Sequence, residues 1–190
     1  MKYSLCKDYI RSDYYRTTGI KSNSLFKMFL LTIVDGGFRF TFWFRLSNVS
    51  IYLIRIIAIA LYRHLSIKHH IYIPRSTQIG YGFRMIHGGP CVINPTATIG
   101  NNVDFGQFST IGSTNKKAAT IGDDVYIGPS VCIVENVKIG NGVTIGAGAV
   151  VVKDIEEGAT VAGNPAKIIS YKTPGRLVWR KWNLEWNNYS

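Results

Sequence analysis

The sequence predicts a mainly β fold, a solenoid of short parallel strands with a short helical segment before it and a helical tail after it. Three observations carry this. Ile121, Ile127, Ile133, Ile139, Ile145 and Val151 recur every six residues without a slip. Gly122, Gly128, Gly140 and Gly146 follow four of them directly, and Val125, Val131, Val137, Val143 and Ala149 lie four residues after the first five. The same register runs back through Ile93, Ile99, Phe105 and Ile111 and, before that, through Ile73, Ile79 and Met85. A period of six suits neither a helix nor an isolated amphipathic strand, but it gives one short strand plus its bend per hexad, with the large aliphatic residue pointing inward.

Residues 1–70 read as helical, with apolar residues crowded along 24–34 and 49–65 and Gly36-Gly37 as a break between them. The many β-branched and aromatic residues leave a strand over 38–44 open as an alternative. The basic charge is concentrated here: the chain carries +8 over residues 1–72, 0 over 73–168 and +3 over 169–190. With 46% hydrophobic residues the chain is not a disordered one. No nucleic-acid module accompanies the charge, so nucleic acid is not expected as a partner. The basic residues are instead interleaved with runs such as Phe26–Leu31, Phe38–Arg45 and Ile51–Ile57. None approaches the roughly 20 uncharged residues of a spanning helix. They read as interfacial or buried.

The start of the chain lacks an apolar core and a small-residue cleavage site, so no secretory leader is expected. Cys6, Cys91 and Cys132 show neither paired nor metal-type spacing, which fits a reducing, cytoplasmic setting without a metal site. Cys91, two residues before the inward Ile93, reads as a packing residue.

The solenoid spans 71–169, with Pro74 at its start ending any helix before the hexads. Two breaks interrupt its beat. Met85 and Ile93 are eight apart and Ile111 and Ile121 are ten apart, so two and four extra residues leave the stack as loops, where function collects. The first insertion holds His87 in Met85-Ile86-His87-Gly88-Gly89-Pro90, and the second is Ser113-Thr114-Asn115-Lys116-Lys117. Glycines beside a histidine allow close approach of a ligand, and a neutral imidazole is the natural base for a hydroxyl. A turn histidine without chemistry is the alternative. His64, His69 and His70 read as linker or surface residues. In the tail, 170–190, Trp179, Trp182 and Trp186 are spaced along one helix face, to cap the open solenoid end or to sit at a membrane interface.

Residues 71–169 resemble the hexapeptide-repeat acyltransferases, in particular the serine acetyltransferase branch with its capsular and exopolysaccharide O-acetyltransferase relatives. The resemblance rests on Ile79-Gly80-Tyr81-Gly82 with Ile86-His87-Gly88, on Gln107 to Gly112, on Ile145 to Val151, and on Gly158 to Lys167. It implies a left-handed parallel β-helix, against the usual right-handed crossover preference, and a homotrimer with active sites between neighbouring coils. It implies acetyl-CoA as co-substrate and His87 as the general base of direct transfer, with no acyl-enzyme. It also places coenzyme A along Gly112, Ser113, Pro129 and Ala147, with Lys153 and Lys167 near its phosphates; the acceptor is expected near Tyr72, Asn94 and Gln107.

Three positions depart from the serine enzymes. Tyr72 stands where they carry an aspartate fifteen residues before the histidine, Ile86 replaces the acid directly before it, and 116–121 lacks their second histidine. These departures and the basic flank favour a sugar hydroxyl of a capsular, O-antigen or exopolysaccharide precursor as acceptor. The flank, residues 1–60, would then touch the inner face of the cytoplasmic membrane. Serine O-acetylation for cysteine synthesis and a non-catalytic scaffold are the alternatives, and a zinc carbonic anhydrase of the same fold would need more histidines than the solenoid has.

Overall fold

The computed structural model describes residues 1–189. Four helices come first: α1 (Tyr3–Thr18), α2 (Leu25–Val34), α3 (Gly36–Leu46) and α4 (Tyr52–His69). The residues 38–44 that left a strand open lie inside α3, because packing decides the matter: Phe38, Phe40, Phe42 and Phe44 are all buried between the other helices and the first coils. Ser24 caps α2 and Asp35 caps α3, each side chain accepting from the backbone N–H three residues on.

Short strands then wind into three sheets of five, four and six members. The first sheet stacks Ile71–Tyr72, Cys91–Ile93, Thr110–Gly112, Cys132–Val134 and Val150–Val151, all parallel. The third begins with Arg84–Met85, Asp104–Phe105 and Tyr126–Ile127. The register reports the insertions directly. In the second sheet Ile79 pairs with Ile99, twenty positions on, Ile99 with Ile121, twenty-two on, and Ile121 with Ile139, eighteen on. A coil is therefore three hexads, lengthened by two and by four residues where the sequence predicts it.

Every inward hexad residue from Ile93 to Val151 is at most 3% exposed, so the solenoid is filled by the inward side chains of its three sheets, all aliphatic except Phe105. Cys91 is buried with them, and burial pushes its thiol up to about 12, which makes it a packing residue. A second, smaller core lies among the helices around Met28, Phe42 and Val49, and Trp43 touches both.

The tail differs from the expected tryptophan cap. It is helical only over Leu184–Tyr189, as a 3-10 turn. Trp182 is buried, with Tyr15 of α1 edge-on to both Trp182 and Trp186. The Trp182 N–H donates to Asn102 Oδ1 at 2.7 Å. These rings fasten α1 to the solenoid flank. At the solenoid's end the antiparallel strand Lys167–Ser170 pairs with Thr160–Ala162 instead.

Candidate active site

His87 stands on the two-residue insertion, at the corner between the third and first sheets. Its φ is 64° and that of Gly88 is 57°, both in the left-handed region. The N-terminus of α3 presses against this turn. A Cβ on Gly88 would lie 2.6 Å from the Gly36 carbonyl carbon and the Gly37 nitrogen, and one on Gly37 would collide with the Met85 carbonyl oxygen. The Gly36-Gly37 pair is thus more than a break between helices: it lets Asp35, the α3 cap, approach His87.

A cavity of about 370 Å³ opens there, lined by Thr17, Asp35, Arg84, Ile86, His87 and Trp179. A neighbouring hollow of about 390 Å³ shares Arg84, Ile86 and Trp179 and adds Tyr126 and Arg176. A larger hollow of about 560 Å³ beside α4 holds Arg63 and Arg75 but no histidine or carboxylate, so the chemistry favours the smaller one. His87 itself is exposed. One Asp35 oxygen accepts from the Phe38 N–H at 2.7 Å.

Arg84 is held from below. Its Nε lies 2.9 Å from Asp104 Oδ1 and its Nη2 lies 3.1 Å from Oδ2. Arg16 of α1 reaches the same carboxylate and also donates to the carbonyls of Gly82 and Trp179. Two guanidiniums thus share one buried carboxylate, and this trio carries net positive charge. Burial pushes the Asp104 carboxyl up, while Arg16 and Arg84 pull it down. A second buried pair, Arg45–Asp13 at 2.9 Å, ties α3 to α1, and Arg45 also donates to the Ile79 and Gly80 carbonyls.

The other sequence-derived site residues fall into two columns. Gln107, Pro129 and Ala147 occupy one corner on successive coils, linked by Ser130 N–H to the Gln107 carbonyl and Gly148 N–H to the Pro129 carbonyl, each at 2.9 Å. This column starts at the His87 turn: Phe108 N–H donates to the Pro90 carbonyl, and a Cβ on Gly89 would sit 2.9 Å from Gln107 Cβ. Gly112, Ser113 and Lys153 follow the first-sheet strands at their far corner. The first sheet lies between the two columns. Its second-corner loop is folded onto Glu135, whose carboxylate accepts from Ser113 Oγ at 2.9 Å and Thr114 Oγ1 at 2.8 Å. These donors, Thr114 first, hold the Glu135 carboxyl down to about 2.

Tyr72, Asn94 and Lys167 belong to neither column. Tyr72 is exposed and lines a separate hollow with Tyr62 and Arg63. Asn94 accepts from the Thr96 N–H and hydroxyl in a local turn, and Lys167 lies exposed on the terminal antiparallel strand. The Ser113–Lys117 loop does not line the His87 cavity either. Conversely, sequence reasoning missed Asp35, Arg84 and Trp179. Arg84 occupies the outward position directly before the inward Met85, a place the hexad register could have flagged. Asp35 and Trp179 come from outside the repeats.

Residues 118–153 match the family model described as "Bacterial transferase hexapeptide (six repeats)". Serine acetyltransferase 4 of Arabidopsis thaliana is 38% identical over 121 residues, 62% of this chain and 34% of that protein. The chain spans only 34% to 48% of the length of the first curated relatives it matches. A serine acetyltransferase structure from Vibrio cholerae superposes with a TM-score of 0.71 at 24% identity, over 90% of this chain and 69% of that one. A serine acetyltransferase in complex with CoA gives 0.65 at 26% identity, over 86% and 67%.

These findings overturn the sugar acceptor and its polysaccharide setting. That expectation set three differing positions around the histidine above a likeness that runs over 121 residues in sequence and 86% of the chain in fold. It also left out the charges that α3 and Arg84 bring to the same cavity from outside the motif. Residues 118–153 are similar to bacterial-transferase hexapeptide repeats, and the chain is similar in sequence and in fold to serine acetyltransferases.

Proposed function

We propose that this protein transfers an acetyl group from acetyl-CoA to the hydroxyl of L-serine, with His87 as general base. The observation that carries the acceptor is the cavity in which Asp35, Arg84 and His87 meet. A small zwitterion has a carboxylate for Arg84, an ammonium for Asp35 and a hydroxyl for His87. Tyr72, Ile86 and the 116–121 stretch supply none of these contacts, so recognition passes to Arg84, rigidly paired beneath by Asp104, and to Asp35, fixed by its cap.

Chemically, the imidazole takes the hydroxyl proton as the oxygen attacks the thioester carbonyl. A new C–O bond forms, the C–S bond breaks, and the sulfur leaves with a proton returned from the imidazolium. Backbone N–H groups of the glycine-rich turn after His87 are the candidate donors to the transient oxyanion. The Gln107–Pro129–Ala147 column leads away from His87 along the coils and, with Gly112, Ser113 and Lys153 at the opposite corner, would carry the pantetheine and phosphates. Small residues keep that surface open, and the exposed Lys153 and Lys167 suit anionic groups. A homotrimer, in which a second copy closes the site over the first sheet, completes this reading.

The test is release of free coenzyme A thiol from acetyl-CoA on adding L-serine to the purified protein. Saturable, serine-dependent release supports the proposal. Tight acetyl-CoA binding without any serine-dependent release overturns the acceptor.

A further inference from the structure

The outward faces of α2 and α4 gather many of the exposed large apolar side chains of the molecule. On α4, Leu53, Ile56, Ile57 and Ile67 lie along one helical stripe and all are exposed, Ile67 at 76%. On α2, Phe26, Ile33 and Val34 are exposed at 68%, 63% and 79%. An ordinary surface helix turns a polar face outward. These two bury one apolar face, with Met28 of α2 and Ala58, Tyr62 and Leu65 of α4 in the cores, and leave a second one bare. Both pack on α3, and Arg39 of α3 binds the Thr32 and Ile33 carbonyls at the end of α2. Both stripes thus belong to the helical segment that precedes the solenoid, one on each of two helices packed on α3.

The charge of this segment has one sign. From residue 14 to residue 103 Asp35 is the single acidic residue, and it caps α3. The earlier acids are paired, Asp8 with Arg11 and Asp13 with Arg45. Lys27, Arg63 and Lys68 stand exposed among the apolar side chains.

We infer that the outward faces of α2 and α4 dock on an anionic lipid bilayer. The apolar stripes enter the headgroup boundary, and the lysines and arginine extend to lipid phosphates. The segment lies on the surface and does not cross it, since among the described residues no helix is long and apolar enough to span. A second copy of the chain is the competing occupant, and charge disfavours it. A two-fold contact would set the same cations against each other with no acid on the face to offset them. The inference is independent of which acceptor is acetylated.

Flotation of the full chain with vesicles tests it, using phosphatidylcholine alone or mixed with phosphatidylglycerol. Binding to the anionic vesicles should be about tenfold or more tighter than to the neutral ones and should weaken as salt is raised. A variant carrying Phe26→Ser, Ile33→Ser, Leu53→Ser and Ile67→Ser should lose that binding while keeping its oligomeric state and its acetyl transfer. Failure to float with either vesicle, equal affinity for both, or full binding by the variant would each overturn the proposal. A variant that instead drops to a smaller oligomer would assign the face to a second copy.

Discussion

His87 is carried on two successive left-handed residues, a geometry that aims its imidazole out of the coil and into a cavity bounded by α3. If it is the base, His87→Ala should lower acetyl transfer by about 10²- to 10⁴-fold with the circular dichroism spectrum unchanged. Beneath it, Asp104 balances Arg16 and Arg84. Asp104→Asn leaves the buried Arg16 guanidinium and the partly exposed Arg84 without their counter-charge, and urea unfolding should show a loss of about 3–5 kcal/mol. An unchanged midpoint would mean that the arginines find other partners. Glu135 bears on pH. Its carboxyl is depressed in the folded state, so its contribution is complete above the ordinary value of 4.5 and is lost only as pH falls towards about 2. The 113–117 loop should stay anchored throughout the neutral range, whereas Glu135→Gln should speed amide exchange at Thr114, whose N–H it accepts from.

At the level of elements, the coils were legible and the contacts between distant elements were not. The hexad beat marks each inward residue, and the eight- and ten-residue gaps foretell the longer coils. A uniform period leaves few other ways to bury so many aliphatic residues. The helices were harder, since Phe38 to Phe44 suit a strand by composition and become helical through what they pack against. Asp35 and Gly36-Gly37 read as a break because nothing local shows that the next backbone they meet is at Met85–Gly88, some fifty residues later. That contact is testable. Gly88→Ala adds a methyl where the α3 backbone already is, and at a positive φ that alanine resists. Acetyl transfer should fall while the solenoid, held by its own core, keeps its thermal transition. Retained activity would show that the α3 contact does not shape the site.

For the whole molecule, the neutral solenoid and the basic helical segment divide the roles. The coils supply a rigid wall with His87 at one end of a corner column, and the helices supply the acid beside it. The first sheet, bordered by both columns, is the surface a neighbouring copy would cover. Light scattering should therefore give three protomers of 21.2 kDa, and a monomer at working concentration would remove the inter-subunit site. The acceptor was the part least legible in the sequence. Motif positions around His87 point away from serine, and the cavity's charges come from residues those motifs do not include.

The central claim is that His87 drives acetyl transfer to L-serine in a cavity recognised through Arg84 and Asp35. The most direct measurement is serine-dependent thiol release from acetyl-CoA by the parent protein, His87→Ala and Arg84→Gln side by side. The account predicts saturable release by the parent, near-complete loss for His87→Ala, and a raised serine KM with little change in acetyl-CoA affinity for Arg84→Gln. Release by His87→Ala at the parent rate, or none by the parent despite saturable acetyl-CoA binding, would contradict it.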